Sequence, residues 1–409
     1  MLTTRNLNSF LTLGYFLDYK EIRFIPVPQI DTGKYSGLSE AELIETGSKI
    51  LLDVLSANFK SGSKNFVPLS GGLDSRTLLG GLLKFTSTDN IKTFTYGLPG
   101  TFDFEIGRDV SKRFGVQNFS LNFNDVEFSI DMLIDAAKRF RGQTMLFFHP
   151  DHRKLNEMFP DHYYWTGFFG DVAAGDGYRQ IDSKNMNEDT VKLRFLQNNQ
   201  YVHSIQLANE PVESLIPLLE GMRININNVS DYDKLDIYDR QAKYIAPHKC
   251  PDGFRMVAPF LSPDWLNFIM SVPVRFRKHG YLYHRILLYT FPELFSLPTR
   301  NNYGLSLKAG DFEILLKKIQ SKLLYYSGNR KYIQLLNTNY FNINEFIRTN
   351  PALRTIVPEA ISQLKQRNIL PWLDLDKIIN DHMTGRADFG DALQVLASLE
   401  LILRAKGEQ

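Results

Sequence analysis

Cysteine is almost absent from this sequence, which has one thiol, Cys250, in 409 residues. A single thiol forms no disulfide framework and no cysteine-based metal site. It also excludes the paired thiolates that sulfur-transfer chemistry uses. We predict that Cys250 is a small, half-buried residue, and the composition is compatible with a reducing compartment.

Long apolar runs and an excess of one charge are also lacking. No uninterrupted hydrophobic stretch reaches the length of a bilayer span, and residues 1–6 (MLTTRN) lack the apolar core of a secretory signal. The 47 Lys and Arg residues nearly balance the 45 Asp and Glu residues, which leaves a net charge of +2. Such a balance gives no reason to expect nucleic acid binding or membrane insertion. The sequence therefore predicts a soluble, cytoplasmic protein.

Short apolar runs alternate with helical periodicity between residues 65 and 166. The pattern predicts strands at 65–69, 91–96, 118–123 and 163–166, with helices at 103–114 and 130–140 between them. Such an alternation favours an α/β fold with a parallel, doubly wound sheet. Residues 185–228 are polar and mixed, 298–308 form a loop, and the spacing after residue 233 is mostly helical, most clearly at 393–403. The second half is therefore predicted to be a mainly helical lobe.

The most informative segment is the glycine turn of residues 70–75 (SGGLDS), placed between a predicted strand and a predicted helix. Gly71 and Gly72 let the backbone approach an anion closely, and the helix start offers unpaired N–H groups to phosphate oxygens. Ser70 and Ser75 add hydroxyl donors, while Asp74 suits a Mg²⁺ ion that bridges phosphates. The segment thus predicts ATP binding with cleavage to AMP and pyrophosphate.

Two other glycine motifs are excluded at this position. No Gly-Lys-Ser/Thr follows at the spacing of a Walker A loop, and the Gly-x-Ser-x-Gly of a nucleophile elbow is absent. A plain glycine turn is the remaining alternative. The six residues 70–75 together, between a predicted strand and a predicted helix, favour a phosphate-binding loop over a plain turn.

Three further segments accompany the loop in order: residues 93–103 (TFTYGLPGTFD), 166–171 (TGFFGD), and 258–264 (APFLSPD) followed by 271–273 (SVP). Together with the loop they resemble the synthetase domain of the asparagine synthetase family, whose members are ATP pyrophosphatases of the adenine nucleotide α-hydrolase type. The resemblance runs from about residue 10 to the C-terminal helix. It implies ATP and Mg²⁺ as cofactors, with the nucleotide at the carboxyl ends of the strands.

The resemblance also implies roles for individual residues. Asp74 and Asp171 would bind the metal and pyrophosphate, and backbone groups near Tyr96 would hold the adenine. Lys308 is a candidate catalytic contact to the phosphates, with a solvated loop lysine as the alternative. The expected ATP and pyrophosphate contacts are Leu69, Ser70, Gly71, Gly72, Asp74, Ser75, Arg76, Tyr96, Gly97, Thr166, Gly167 and Arg300.

The sequence departs from the family pattern at three positions. Leu2 stands where the family has the nucleophilic cysteine of its glutaminase domain, Phe168 replaces a glutamate, and Asn302 replaces a lysine. We therefore expect that free ammonia, a separate glutaminase subunit or an amine supplies the nitrogen. The expected domains are a glutaminase-tail remnant with a lead-in helix (1–60), the ATP pyrophosphatase core (61–180) and a helical remainder (181–409).

These features predict an ATP-dependent ligase that activates a small-molecule carboxylate as an acyl-adenylate and forms an amide. Amidation of a sugar uronate in polysaccharide synthesis is the preferred reaction, and asparagine synthesis from ammonia is an alternative. A nucleotide-binding protein without ligase activity is a second alternative, motivated by Phe168 and Asn302. The near-neutral charge and lone cysteine count against a tRNA-modifying enzyme.

Two histidines and one basic run have more than one interpretation. His149 and His152 have the spacing of metal ligands but lack a third ligand nearby, so they are candidate pocket residues near the acyl substrate. Residues 275–281 (RFRKHGY) suit either an anionic acceptor or, more simply, a surface turn.

Overall fold

The computed structural model describes residues 3–19, 25–175, 186–326 and 342–407. Within them, five strands form one sheet in the order β3-β2-β1-β4-β5, and every neighbouring pair is parallel. The strands are β1 (Lys64–Pro68), β2 (Ile91–Gly97), β3 (Gln117–Asn122), β4 (His162–Trp165) and β5 (Arg255–Val257). The α/β parallel sheet that the sequence predicts is therefore confirmed.

The central strand fixes the register of its neighbours. Asn65 of β1 pairs with Ile91 on one side and with Tyr163 on the other. Phe66 and Val67 are both fully buried, so both faces of this strand are covered by the rest of the chain. The glycine turn therefore leaves the middle of the sheet at its carboxyl edge, where α/β folds place ligands.

Helices follow the strands of the first half and dominate the second. They are α1 (Thr4–Leu13), α2 (Glu40–Asn58), α3 (Leu73–Phe85), α4 (Phe102–Arg113), α5 (Ile130–Arg139), α6 (His152–Met158), α7 (Gly170–Ala174), α8 (Glu188–Asn198), α9 (Asp231–Leu235), α10 (Ala246–Lys249), α11 (Pro263–Ser271), α12 (Val274–Arg277), α13 (Tyr281–Thr290), α14 (Pro292–Phe295), α15 (Asp311–Tyr326), α16 (Ile343–Thr349), α17 (Leu353–Gln366), α18 (Leu375–Met383) and α19 (Gly390–Ala405). A π-helix (Asp236–Ile245) joins α9 to α10.

Local sequence explains where several helices begin. Ser39 and Glu42 form a reciprocal capping box at the start of α2, and Ser129 accepts a hydrogen bond from Met132 N at the start of α5. None of the helices within the described residues combines the length and hydropathy that a bilayer span requires.

Two of the four buried apolar clusters among the described residues are much larger than the others. One covers the sheet with α2, α3, α11 and α13, and the other packs α19 against α5 and α17. The sheet also crosses the expected boundary at residue 180, because β5 comes from the segment assigned to the helical remainder. The domain limits proposed from the sequence stay predictions.

Candidate active site

A cavity of about 360 Å³ opens at the carboxyl ends of the strands. This volume lies within the range of small-molecule sites. One group of lining residues belongs to the glycine loop and its surroundings; we call it the phosphate-loop group, and it comprises Ser70, Gly72, Asp74, Ser75, Asp171 and Arg300. A second group, the histidine group, comprises His149, His152, His248, Arg240 and Lys249. The structure thus brings the predicted loop and the two predicted pocket histidines into one cavity.

The glycine loop closes on itself through its two serines. Ser70 N lies 3.2 Å from Ser75 Oγ, and Gly72 N donates to Ser70 Oγ over 3.2 Å. Gly72 is the N-cap of α3, and no side chain caps this helix end. The N–H groups of the first turn of α3 therefore face the cavity as donors for an anion.

Arg76 does not lie at the cavity, in contrast to the contact expected from the sequence. Its side chain is fully buried behind the loop, where Nε donates to Gly72 O over 3.0 Å and Nη2 donates to Gly71 O over 2.8 Å. Burial lowers the pKa of Arg76 to about 10, and the nearby Asp103 opposes that shift. Arg76 consequently holds the two glycine carbonyls in place from behind.

Asp103, in the first turn of α4, contacts the glycine loop, and no sequence motif predicted this role. Its side chain is almost fully buried, Oδ1 accepts from Gly71 N over 2.9 Å, and Oδ2 accepts from Arg300 Nη1 over 2.7 Å. Arg300 N in turn donates to Gly71 O over 2.9 Å. The amide of Gly71 is therefore committed to Asp103 and is not available to an anion.

Asp74 contacts the backbone of Asp171 at the start of α7. Asp171 N donates to Asp74 Oδ2 over 3.1 Å, while Tyr283 Oη donates to Asp74 Oδ1 over 2.8 Å. Tyr283 is buried, and burial followed by the charge of Asp74 raises its pKa well above the usual value. The phenol therefore stays protonated and fixes the Asp74 carboxylate in one orientation.

At Gly167 and Gly170 the chain after β4 approaches Asp74 too closely for a side chain. A Cβ at Gly170 would lie 2.5 Å from Asp74 Oδ1, and one at Gly167 would lie 2.8 Å from Asp74 Cβ. Between them, Phe169 adopts a left-handed conformation with φ of 77°, which is unusual for an aromatic residue. Strained backbone of this kind often accompanies a ligand site.

The carboxylates of Asp74 and Asp171 suit a magnesium ion that arrives with a nucleotide. Proteins usually hold Mg²⁺ through one or two carboxylates together with substrate phosphates. Within the described residues, no group of three or more His, Cys, Asp or Glu side chains could hold a metal by itself. Asp74 and Asp171 are thus the residues that would hold the ion.

Other expected nucleotide contacts occupy the ends of β1, β2 and β4. Leu69, Tyr96, Thr166 and Gly167 line the cavity, whereas Gly97 is buried at the end of β2 and does not. Burial raises the pKa of Tyr96 to about 12, with Asp103 adding to the effect. Tyr96 is therefore a neutral wall residue that can donate a hydrogen bond.

Phe168 and Asn302, the two residues that replace a glutamate and a lysine of the family pattern, lie in different places in the structure. Phe168 lines the cavity and is buried beside Phe169, with ring centroids 5.7 Å apart. Asn302 lies away from the cavity and donates through Nδ2 to Ser306 O over 2.9 Å. Lys308 is exposed and also lies outside the lining, so the structure does not bring it to the loop.

Arg240, Lys249 and His248 reach the cavity from the π-helix and α10, and the sequence analysis identified none of them. π-Helical turns are rare and frequently occur at functional sites. The π-helix is therefore the one feature that indicates a functional role for this segment. In the basic run of residues 275–281, Arg277 is buried and donates to Met270 O over 3.1 Å. The buried part of that run is therefore structural.

A glycine loop between a central parallel strand and an uncapped helix, beside two carboxylates, is an arrangement typical of nucleotide-binding α/β domains. The asparagine synthase family model matches residues 59–147. A putative asparagine synthetase [glutamine-hydrolyzing] 2 from Methanocaldococcus jannaschii is 39% identical over 62 residues. That similarity covers 15% of this chain and 12% of the archaeal protein.

The segment that matches the family model contains the glycine loop, β1, β2 and β3. Asp171, Arg240 and Arg300 lie outside the matched residues and join the loop through the fold. The similarity spans about an eighth of the length of the archaeal relative.

Proposed function

We propose that this protein is an ATP-dependent, AMP- and pyrophosphate-forming amide ligase. The observation that carries the proposal is the uncapped start of α3 in the same cavity as Asp74, Asp171 and Arg300. Helix N–H groups, a guanidinium and two carboxylates that suit Mg²⁺ form a surface for a polyphosphate. The family match supports the same class of reaction.

The proposed reaction has two steps. A carboxylate oxygen of the substrate attacks the α-phosphorus of ATP, and the bond to the pyrophosphate breaks. An amine nitrogen then attacks the acyl carbon, AMP leaves, and the nitrogen loses a proton. Donors at the start of α3 and Arg300 would stabilise the charge that develops on the departing pyrophosphate, while bound Mg²⁺ would supply further neutralisation.

The residues that line the cavity favour a carboxylate substrate other than aspartate. Phe168 replaces a family glutamate and presents an apolar ring to the cavity, and Arg240 and Lys249 supply cations further along its wall. A sugar uronate is the candidate substrate, with ammonia, an amine or a glutaminase subunit as the nitrogen source. Asparagine synthesis from ammonia remains the competing reaction.

Carboxylate-dependent ATP–pyrophosphate exchange tests the proposal. The wild-type protein should exchange label with a subset of a carboxylate panel, and Asp74→Asn should reduce the rate by about 100-fold or more. Asp376→Asn is the matched control, because Asp376 is an exposed residue of α18. ATP binding without exchange for any carboxylate would favour the alternative, a nucleotide-binding protein without ligase activity.

A further inference from the structure

Three buried or half-buried histidines meet on one wall of the cavity. The ring centroids of His149 and His248 are 5.1 Å apart, and those of His149 and His152 are 6.2 Å apart. The buried ring of Phe140 packs edge-on against two of them, at 4.5 Å from His149 and 5.1 Å from His152. The cluster therefore places polar imidazole rings on the wall of the cavity.

All three imidazoles are neutral at physiological pH. Burial is the main cause in each case: it lowers the pKa of His152 to about 4 and that of His248 to about 3, and it holds His149 well below its usual value. Charges nearby add to the effect, with Arg139 acting on His152 and Lys249 on His248. The cluster therefore offers uncharged ring nitrogens to the cavity.

Backbone carbonyls decide which nitrogens are available. His248 Nδ1 lies 3.0 Å from Tyr244 O, and because a carbonyl only accepts, Nδ1 carries the proton and Nε2 is an acceptor. The backbone of Met145 hydrogen-bonds His149 in the same sense. His152 is 5% exposed, and its ring hydrogen-bonds the backbone of Pro150, which offers only a carbonyl, so one ring nitrogen donates and the other is an acceptor. The wall is thus rich in acceptors.

Two cations complete this wall. Arg240 extends from the π-helix beside Tyr244, and Lys249 stands at the end of α10. They favour an anionic ligand and disfavour an ammonium group. Among the described residues the histidines also form no group that could hold a metal ion. The ligand that fits this wall is therefore a negatively charged molecule with several O–H donors.

We propose that the histidine group binds the hydroxyl-bearing part of the carboxylate substrate, so that the substrate is a polyhydroxylated acid such as a sugar acid. Its hydroxyls would donate to the ring nitrogens of His149, His152 and His248. That the bound acid is also the reacting substrate rests on the ligase function proposed above. The histidines are then specificity-determining residues of this chain.

Calorimetric binding of two six-carbon acids tests the proposal directly. Galacturonate and hexanoate would each be titrated into the full chain with Mg²⁺ and the non-hydrolysable α,β-methylene analogue of ATP. Galacturonate should bind at least about tenfold more tightly than hexanoate, since unpaired acceptors penalise the apolar acid. His152→Leu should abolish that difference, whereas His152→Gln, which keeps an acceptor oxygen, should retain most of it.

His203→Leu is the matched control, because His203 is exposed and outside the cavity lining. Unchanged affinity for the ATP analogue shows that each variant is folded. Equal affinities of the two acids for the wild type, or an unchanged preference in His152→Leu, would overturn the subsite. Galacturonate binding of the predicted kind without pyrophosphate exchange would instead overturn the ligase function alone. Exchange with another carboxylate, without galacturonate binding, would overturn only the subsite.

Discussion

Asp103 joins the glycine turn to the loop at Arg300, which lies 197 residues after Asp103 in the sequence, because its carboxylate accepts from both Gly71 N and Arg300 Nη1. The buried carboxylate holds the glycine turn in register and orients a cation toward the phosphate position. Asp103 acts through its neighbours, as a positioning residue. Disturbing it should therefore affect nucleotide binding more than the fold.

Asp103→Asn should weaken binding of the ATP analogue by about tenfold. The amide oxygen still accepts from Gly71, but the amide nitrogen opposes the guanidinium of Arg300 with a second donor. Calorimetry measures the loss, and Asp376→Asn controls for removal of an exposed carboxylate. A double-mutant cycle with Arg300→Met should show coupling of about 1 kcal/mol or more. Additive effects would show that the two side chains act independently.

Gly170→Ala should reduce carboxylate-dependent exchange by about tenfold or more. The new Cβ would lie 2.5 Å from Asp74 Oδ1 and 2.6 Å from its Cγ, so the carboxylate must move. Overpacking of this kind costs about 1–3 kcal/mol, which thermal unfolding measures alongside the exchange rate. Gly37→Ala is the control, since its Cβ would meet no atom within 4 Å. Full activity of Gly170→Ala would mean that the position of Asp74 is unimportant.

Tyr283→Phe should lower exchange by roughly three- to tenfold, the range that corresponds to one hydrogen bond of about 1 kcal/mol. The variant removes the phenol that donates to Asp74 Oδ1 and keeps the ring in the core. Tyr281→Phe offers a matched comparison, because Tyr281 is exposed and donates to Glu40. Equal exchange rates in both variants would argue against a positioning role for Tyr283.

Folding stability should fall as the pH decreases from about 6.5 toward 4. The pKa of His152 is lowered from 6.5 to about 4 in the folded chain, mainly by burial. The unfolded chain therefore takes up a proton in this window before the folded chain does, and stability is complete only above it. For this residue alone the loss between pH 7 and pH 5 is about 2 kcal/mol.

Urea unfolding at pH 7 and pH 5 measures this loss. His152→Gln should reduce the difference in stability between the two pH values by about 2 kcal/mol. The comparison uses the pH dependence, so a uniform destabilisation by the substitution does not affect it. An identical pH dependence in His152→Gln and wild type would show that His152 takes up its proton normally in the folded protein.

Local sequence predicted the elements that carry a strong local signal. The four strands found by periodicity are present, and the glycine turn lies between β1 and α3 as expected. β5 has only three residues, Arg255–Val257, which is too short for a periodic pattern. It forms by pairing with β4, and that pairing is set by the tertiary structure.

The site was less predictable than the fold because several of its contacts join distant residues. The pairing of Asp103 with Arg300 and the approach of His248 to His149 have no local sequence pattern. Arg76 was expected at the phosphates from its place at a helix start, but its side chain turns back to the loop carbonyls. The direction of a side chain depends on how it packs, and its packing cannot be read from its position in the sequence alone.

Transfer of ¹⁸O from a labelled carboxylate tests the acyl-adenylate most directly. The labelled acid that best supports exchange would be incubated with ATP, Mg²⁺ and an amine, and the products analysed by mass spectrometry. Attack on the α-phosphorus predicts one ¹⁸O atom in AMP and none in pyrophosphate. Label in inorganic phosphate, with ADP as the nucleotide product, would contradict the proposed reaction.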